Sequence, residues 1–299
     1  MASDQENQKI IAQLKEDLRQ KDLELARYRQ ELSRANMELE KIIADFAQEL
    51  KMAGQIQRIL SPIEIPNIQG IEFSTKFIPG TERGGDYFDI FEHEDKMKFG
   101  IVLACSSGYS MSALFLSVLI KLSAQIEARR GLSPDQVLIQ MAKELVPHIQ
   151  NKDFASVFYG IVDRRAFELT YSSAGKIYGF LQVSGQEGIA RLEPSAGLFN
   201  KDFNERPLAQ KIQLNARDRL ILCSEGIVQA QNPSGEQFGV ERLEKALYRA
   251  VRSGVHDVRN EILYQVEQFT GLSDPTRDLT VVVTEVKDRV IKLAKNKPV

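Results

Sequence analysis

The chain has 299 residues, of which 43% are hydrophobic and 27% charged, enough apolar material for a sizeable core and too much for disorder along its whole length. Lysine and arginine number 39 against 41 acidic residues, so the net charge of −2 supplies no global field for nucleic acid or an anionic membrane. No apolar run reaches the roughly 18 residues of a spanning helix, and the polar opening MASDQENQK lacks a signal-peptide layout; a cytoplasmic protein is expected, with neither membrane nor nucleic acid as partner.

Every proline lies at or beyond Pro62 and no glycine precedes Gly54, so residues 1–60 read as one helix. Apolar residues recur every seven positions through Ile11, Leu18, Leu25, Leu32, Leu39, Phe46, Ala53 and Leu60, with Leu14, Tyr28, Ala35, Ile42 and Ile56 at the companion position. This is a coiled-coil seam, weakened locally by Lys21 and Glu49 on its inner edge. A homodimer through the coiled coil is expected; a parallel pair is the simplest form, although the seam alone leaves direction open. Ile56, Ile59 and Leu60 carry the helix into the next domain without a flexible break, which makes them the candidate switch or linker residues.

After the SPIEIP segment the pattern changes, and a domain spanning 61–287 is expected, followed by a basic tail over 288–299. Strands are predicted at IEFSTKFI (71–78), DYFDIFE (86–92), KMKFGIVLAC (96–105), FASVFYGIVD (154–163), FELTYSS (167–173), IYGFLQV (177–183), DRLILCSE (218–225) and LTVVVTEV (279–286). Helices are predicted over Ser110 to Arg130, Ser133 to Ile149, Val240 to Arg252 and Val258 to Phe269. Strands grouped between helix pairs point to packed sheets covered by helices. Cys105 and Cys223 lack metal-site spacing and read as buried thiols.

Gly84, Gly85 and Asp86, followed by Tyr87, Phe88 and Asp89, combine backbone freedom with two carboxylates three residues apart. Further along come Ser106-Ser107-Gly108 before a helix, the run Tyr171 to Gly175, Ser224-Glu225-Gly226, and Arg277-Asp278-Leu279-Thr280. In this order the motifs resemble those of the bacterial metal-dependent serine/threonine phosphatases of the PPM type, in the SpoIIE-like branch, over about residues 52 to 287. The resemblance implies an α+β fold, a four-layer α-β-β-α sandwich here preceded by the long coiled-coil helix. It also implies two Mn²⁺ or Mg²⁺ ions held by aspartates, which activate a water against phosphoserine or phosphothreonine on small regulatory proteins.

Matched residue by residue, the family's first ligand is kept as Asp86, but Cys105 stands where its second aspartate belongs. Glu225 replaces an aspartate with a longer arm, and Arg277 stands at the closing metal-binding position with Asp278 as its neighbour. Asp86, Glu225 and Asp278 are thus remnant ligand candidates, while Cys105 and Arg277 are substituted ligand positions. Asp86, a neutral Cys105, Glu225 and Arg277 leave one net negative charge where four aspartates would supply four, too little to hold two dications together. Arg277 is expected to pair with Asp86 or Glu225 in place of a metal. A softer ion on Cys105 and Glu225 is the lesser reading, and Ser107 has no histidine placed to serve as its base.

The expected function is that of a pseudophosphatase: a phosphatase-like signalling protein that binds a regulatory protein partner in a bacterial partner-switching or related pathway, without a cofactor. The alternative is an active serine/threonine phosphatase with a remodelled Mn or Mg centre on Asp86, Glu225 and Asp278. A third possibility places the function in the coiled coil, with the globular part as a cap.

Overall fold

The computed structural model describes residues 2–60, 65–81, 85–107, 110–129, 131–150, 152–186, 188–250, 254–271 and 275–287, with only the backbone of helical segments 2–12, 46–47, 49–60, 110–115 and 127–129. It divides into two units, Met1–Met52 and Ala53–Val299. The first is helix α1, Ala2–Leu60, whose span runs on into the second unit. Freedom from Gly and Pro before residue 54 keeps it unbroken. The side chains of Ile56, Ile59 and Leu60 lie outside the described residues, as does the tail 288–299.

Among the described residues the second unit contains ten strands in two antiparallel sheets. The first five in chain order are β1 (Ile71–Ile78), β2 (Tyr87–Glu92), β3 (Lys98–Ser106), β4 (Ala155–Asp163) and β5 (Glu168–Ala174). The others are β6 (Tyr178–Gln182), β7 (Ile189–Leu192), β8 (Gln210–Gln213), β9 (Arg219–Cys223) and β10 (Leu279–Val286). One sheet has the order β1-β10-β9-β6-β7 and the other β2-β3-β4-β5-β8. Helices α2 (Ser110–Arg129) and α3 (Pro134–Leu145) pack on the second sheet; α4 (Glu225–Gln229), α5 (Gly239–Arg249) and α6 (Val255–Thr270) pack on the first.

The two-residue period of each strand sorts its side chains between layers. On β3, Phe99, Ile101, Leu103 and Cys105 enter the core between the sheets, while Val102 and Ala104 face α2 and α3. On β9, Leu220 and Leu222 point to the same central core, and Ile221 and Cys223 point to α5 and α6. Helices cover both outer faces, so the α-β-β-α sandwich expected from the sequence is the architecture found.

Several boundaries differ from the sequence reading. The strand predicted to run to Glu225 stops at Cys223, because Ser224 is the N-cap of α4 and Glu225 opens that helix. Pro147 turns the end of the helix predicted to reach Ile149 into a short 3₁₀ segment, Val146–His148. The last helix starts at Val255, earlier than Val258, with Gly254 at its N-terminus. β7 and β8, which the sequence reading missed, are four-residue strands at the outer edges of the two sheets. No described helix is long and apolar enough to cross a membrane.

Candidate functional site

Antiparallel pairing brings the start of β2, the end of β3, the end of β9 and the start of β10 to one end of the sandwich. Asp86 precedes β2, Cys105 is the penultimate residue of β3, Glu225 opens α4 just after β9, and Asp278 precedes β10. The predicted candidates therefore converge, although Gly84, Gly108 and Tyr109 lie outside the described residues.

Short backbone contacts hold the frame. The Gly85 carbonyl accepts hydrogen bonds from the Ser106 amide at 3.1 Å, the Ser106 hydroxyl at 3.2 Å and the Ser117 hydroxyl of α2 at 2.9 Å. Asp278 is buried and its two oxygens are engaged by main-chain donors: Gly80 N–H to Oδ1 at 2.8 Å and Asp86 N–H to Oδ2 at 3.3 Å. A side chain on Gly226 would lie 2.0 Å from the Asp278 carbonyl oxygen, so only glycine lets α4 start against this strand. Ser224 and Thr280 bond reciprocally: Ser224 N–H donates to the Thr280 carbonyl at 3.0 Å, and Thr280 N–H donates to Ser224 Oγ at 2.9 Å.

The Thr280 hydroxyl donates to Asp86 Oδ2 at 2.7 Å, linking the two sheets. Burial, reinforced by the negative charge of Asp278, pushes the Asp86 carboxyl up to about 7, although hydrogen bonds from Ser224, Thr280 and Cys105 partly oppose the rise. Burial and then the charge of Asp86 hold the Cys105 thiol well above its ordinary range. That thiol is a neutral donor to Asp86.

Arg277 corrects the sequence expectation. Its side chain is exposed and makes no ion pair with Asp86 or Glu225 among the described residues. It lines a cavity of about 530 Å³ beside the site, with Gly226, Gln229, Gln237 and Glu267. Among the described residues the cation that pairs with Glu225 is Lys176, in the turn between β5 and β6. Its Nζ lies 2.9 Å from Glu225 Oε1; Glu225 is 5% exposed and Lys176 46%. Gln229 donates to the same oxygen. Lys176 is set by Gly175, whose φ of +80° suits glycine, and by its own N–H, which donates to Ser156 Oγ at 3.0 Å. The sequence clue is a lysine directly after the run Tyr171 to Gly175.

Ser107 is committed elsewhere, accepting the Phe154 N–H at 2.7 Å and donating to the Phe154 carbonyl at 3.3 Å. His256 meets Ser74 Oγ at 2.9 Å on the sheet face under α6, and His93 meets the Tyr159 hydroxyl at 3.4 Å, each away from Asp86.

The donor set does not fit a pair of divalent cations. Asp278 is spent on two amides, Glu225 on an ammonium and an amide, and Cys105 is uncharged, which leaves too little free anionic oxygen for two hard ions. Among the described residues no group of three or more His, Cys, Asp or Glu is arranged to hold a metal ion.

Residues 95–287 match the model of the Stage II sporulation protein E (SpoIIE) family. The chain is 22% identical over 255 residues to the phosphoserine phosphatase RsbU of Bacillus subtilis, covering 83% of this chain and 73% of RsbU. The SiaA-PP2C domain of Pseudomonas aeruginosa superposes with a TM-score of 0.66 at 18% identity, covering 82% of this chain and 97% of that one. The RsbU and RsbW domains of Rv1364c from Mycobacterium tuberculosis give a TM-score of 0.63 at 15% identity, covering 76% of this chain and 63% of that one. With most of its length under one family model, and a sandwich fold like that of a solved PP2C domain, the chain belongs to the SpoIIE family.

Proposed function

We propose that this chain is a pseudophosphatase that acts in bacterial signalling by binding a regulatory protein, as a homodimer joined through α1. The observation that supports this most is the internal pairing of the site's carboxylates: Glu225 with Lys176, and Asp278 with two backbone amides. Glu225 could bind a dication only by giving up the Lys176 ammonium, and the family's second and closing ligand positions hold Cys105 and Arg277. The likeness to a protein that joins RsbU and RsbW domains supports a protein as the partner.

Calorimetric titration with Mn²⁺, together with an assay on a phosphoserine peptide, tests the reading. The expected result is no two-ion binding and no phosphate release. Tight binding of two ions with turnover would overturn it.

A second reading, an active phosphatase with a remodelled centre, is favoured by one observation. The Asp86 and Asp278 carboxylates repel each other, a tension that a cation would relieve. Asp86→Asn separates the two readings: it abolishes activity under the second and leaves partner binding largely intact under the first.

A further inference from the structure

Residues Leu14, Leu18, Leu25, Leu32, Leu39 and Ile42 of α1 are 50% to 65% exposed, forming one apolar stripe along the helix. It extends over 28 residues, about 42 Å at 1.5 Å per residue. An apolar stripe of this length and seven-residue period needs a helical partner. We infer that a second copy of this chain covers the stripe and runs in the same direction, each residue lying beside its own counterpart. This rests on the dimer reading proposed above and adds its direction.

The charges flanking the stripe decide the direction. The residue just before each main seam position is Asp17, Glu24, Glu31, Glu38 and Asp45, acidic in all five heptads. The residue just after each companion position is Lys15, Asp22, Arg29, Asn36 and Ile43, a mixed row. In an antiparallel pair the first row faces its own copy, carboxylate against carboxylate along the whole seam. In a parallel pair it faces the mixed row of the other helix, five residues further on. Glu24 then meets the partner's Arg29, Glu31 meets the partner's Asn36 and Glu38 meets the partner's Ile43. The single clash is Asp17 with the partner's Asp22.

Ion pairs within the helix reduce the antiparallel penalty without removing it. Arg27 reaches Glu31 at 3.0 Å and Arg34 reaches Glu38 at 3.3 Å, both on the exposed surface. Each such pair is worth little, so the sign of the whole row decides the direction. Asp17, Glu24 and Asp45 still meet acid in the antiparallel form. Lys21 on the seam costs stability in both directions. The exposed Leu23 and Met37 lie on the opposite face, fourteen residues apart, too sparse for a second seam and a larger bundle.

The test uses the full chain. Sedimentation equilibrium establishes the assembly, and spin labels at Gln13→Cys or, separately, Gln48→Cys report direction; the native cysteines are buried and take no label. A parallel dimer gives label separations below about 30 Å at both sites, whereas an antiparallel one gives more than about 40 Å at 1.5 Å per residue. Long separations in a dimer overturn the direction and leave the dimer reading standing; a monomer at all concentrations overturns both. Charge reversal supplies an independent sign. Glu24→Lys weakens the parallel dimer several-fold, and Glu24→Lys with Arg29→Glu restores it. Tighter or unchanged association in the single variant overturns the proposal.

Discussion

Lys176 reaches from the half-exposed rim of the site to the buried Glu225 carboxylate. Removing its ammonium leaves Glu225, 5% exposed, with Gln229 as its side-chain donor among the described residues. Because the lysine is itself half exposed, Lys176→Ala is expected to destabilise the fold by about 1–2 kcal/mol in urea denaturation, with Lys176→Arg closer to the parent. Asp86 supplies the pH dependence. Its carboxyl rises from an ordinary 3.8 to about 7 in the fold, so between those values the folded chain binds the extra proton and stability falls as pH rises. Asp86→Asn removes that penalty. In metal-free buffer the variant should therefore gain in melting temperature relative to the parent from pH 5 to pH 8, and a constant difference would contradict the assignment. The convergence of Asp86, Cys105, Glu225 and Asp278 was legible from motif order alone. The direction of Arg277 was not, because adjacent residues at the start of a strand point to opposite sides: Asp278 took the inward place and Arg277 faces outward.

At the level of elements, the contact between α4 and the segment before β10 leaves no room for a side chain. Gly226→Ala puts a methyl group 2.0 Å from the Asp278 oxygen and is expected to cost about 2–3 kcal/mol in denaturation, because main chain on both sides must shift. Gly188→Ala, with open space around it, serves as the control and should change stability by less than about 0.5 kcal/mol. Strands were readable where both faces are buried: β10 is buried at every position, and its predicted bounds match those found. The missed strands, IARL and QKIQ, are edge strands, short and polar, and such edges carry little hydrophobic pattern. α4 was missed for a related reason, since five residues are too few to show a helical period.

For the whole molecule, the proposed function places altered ligand positions inside a retained family frame, and restoring them tests that proposal. Cys105→Asp with Arg277→Asp should melt lower than the parent in EDTA, because a further carboxylate is buried beside Asp86, and should be raised by Mn²⁺ by more than the parent is. A double variant indifferent to Mn²⁺ would mean that the loss lies in the frame as well as in the ligands. The sandwich itself was legible because strands grouped between helix pairs admit few layered solutions. One feature of that sandwich reaches further than the site. The hydroxyl of Ser117 holds the Gly85 carbonyl, the next residue is Asp86, and Asp86 accepts the hydroxyl of Thr280 on the facing sheet, which in turn clasps Ser224. The two leaves are thus stitched together at this margin by a row of small alcohols, running from the outer helix through to the opposite layer. Sliding one leaf over the other breaks a stitch, so a displacement of α2 must strain these bonds or carry the facing layer with it.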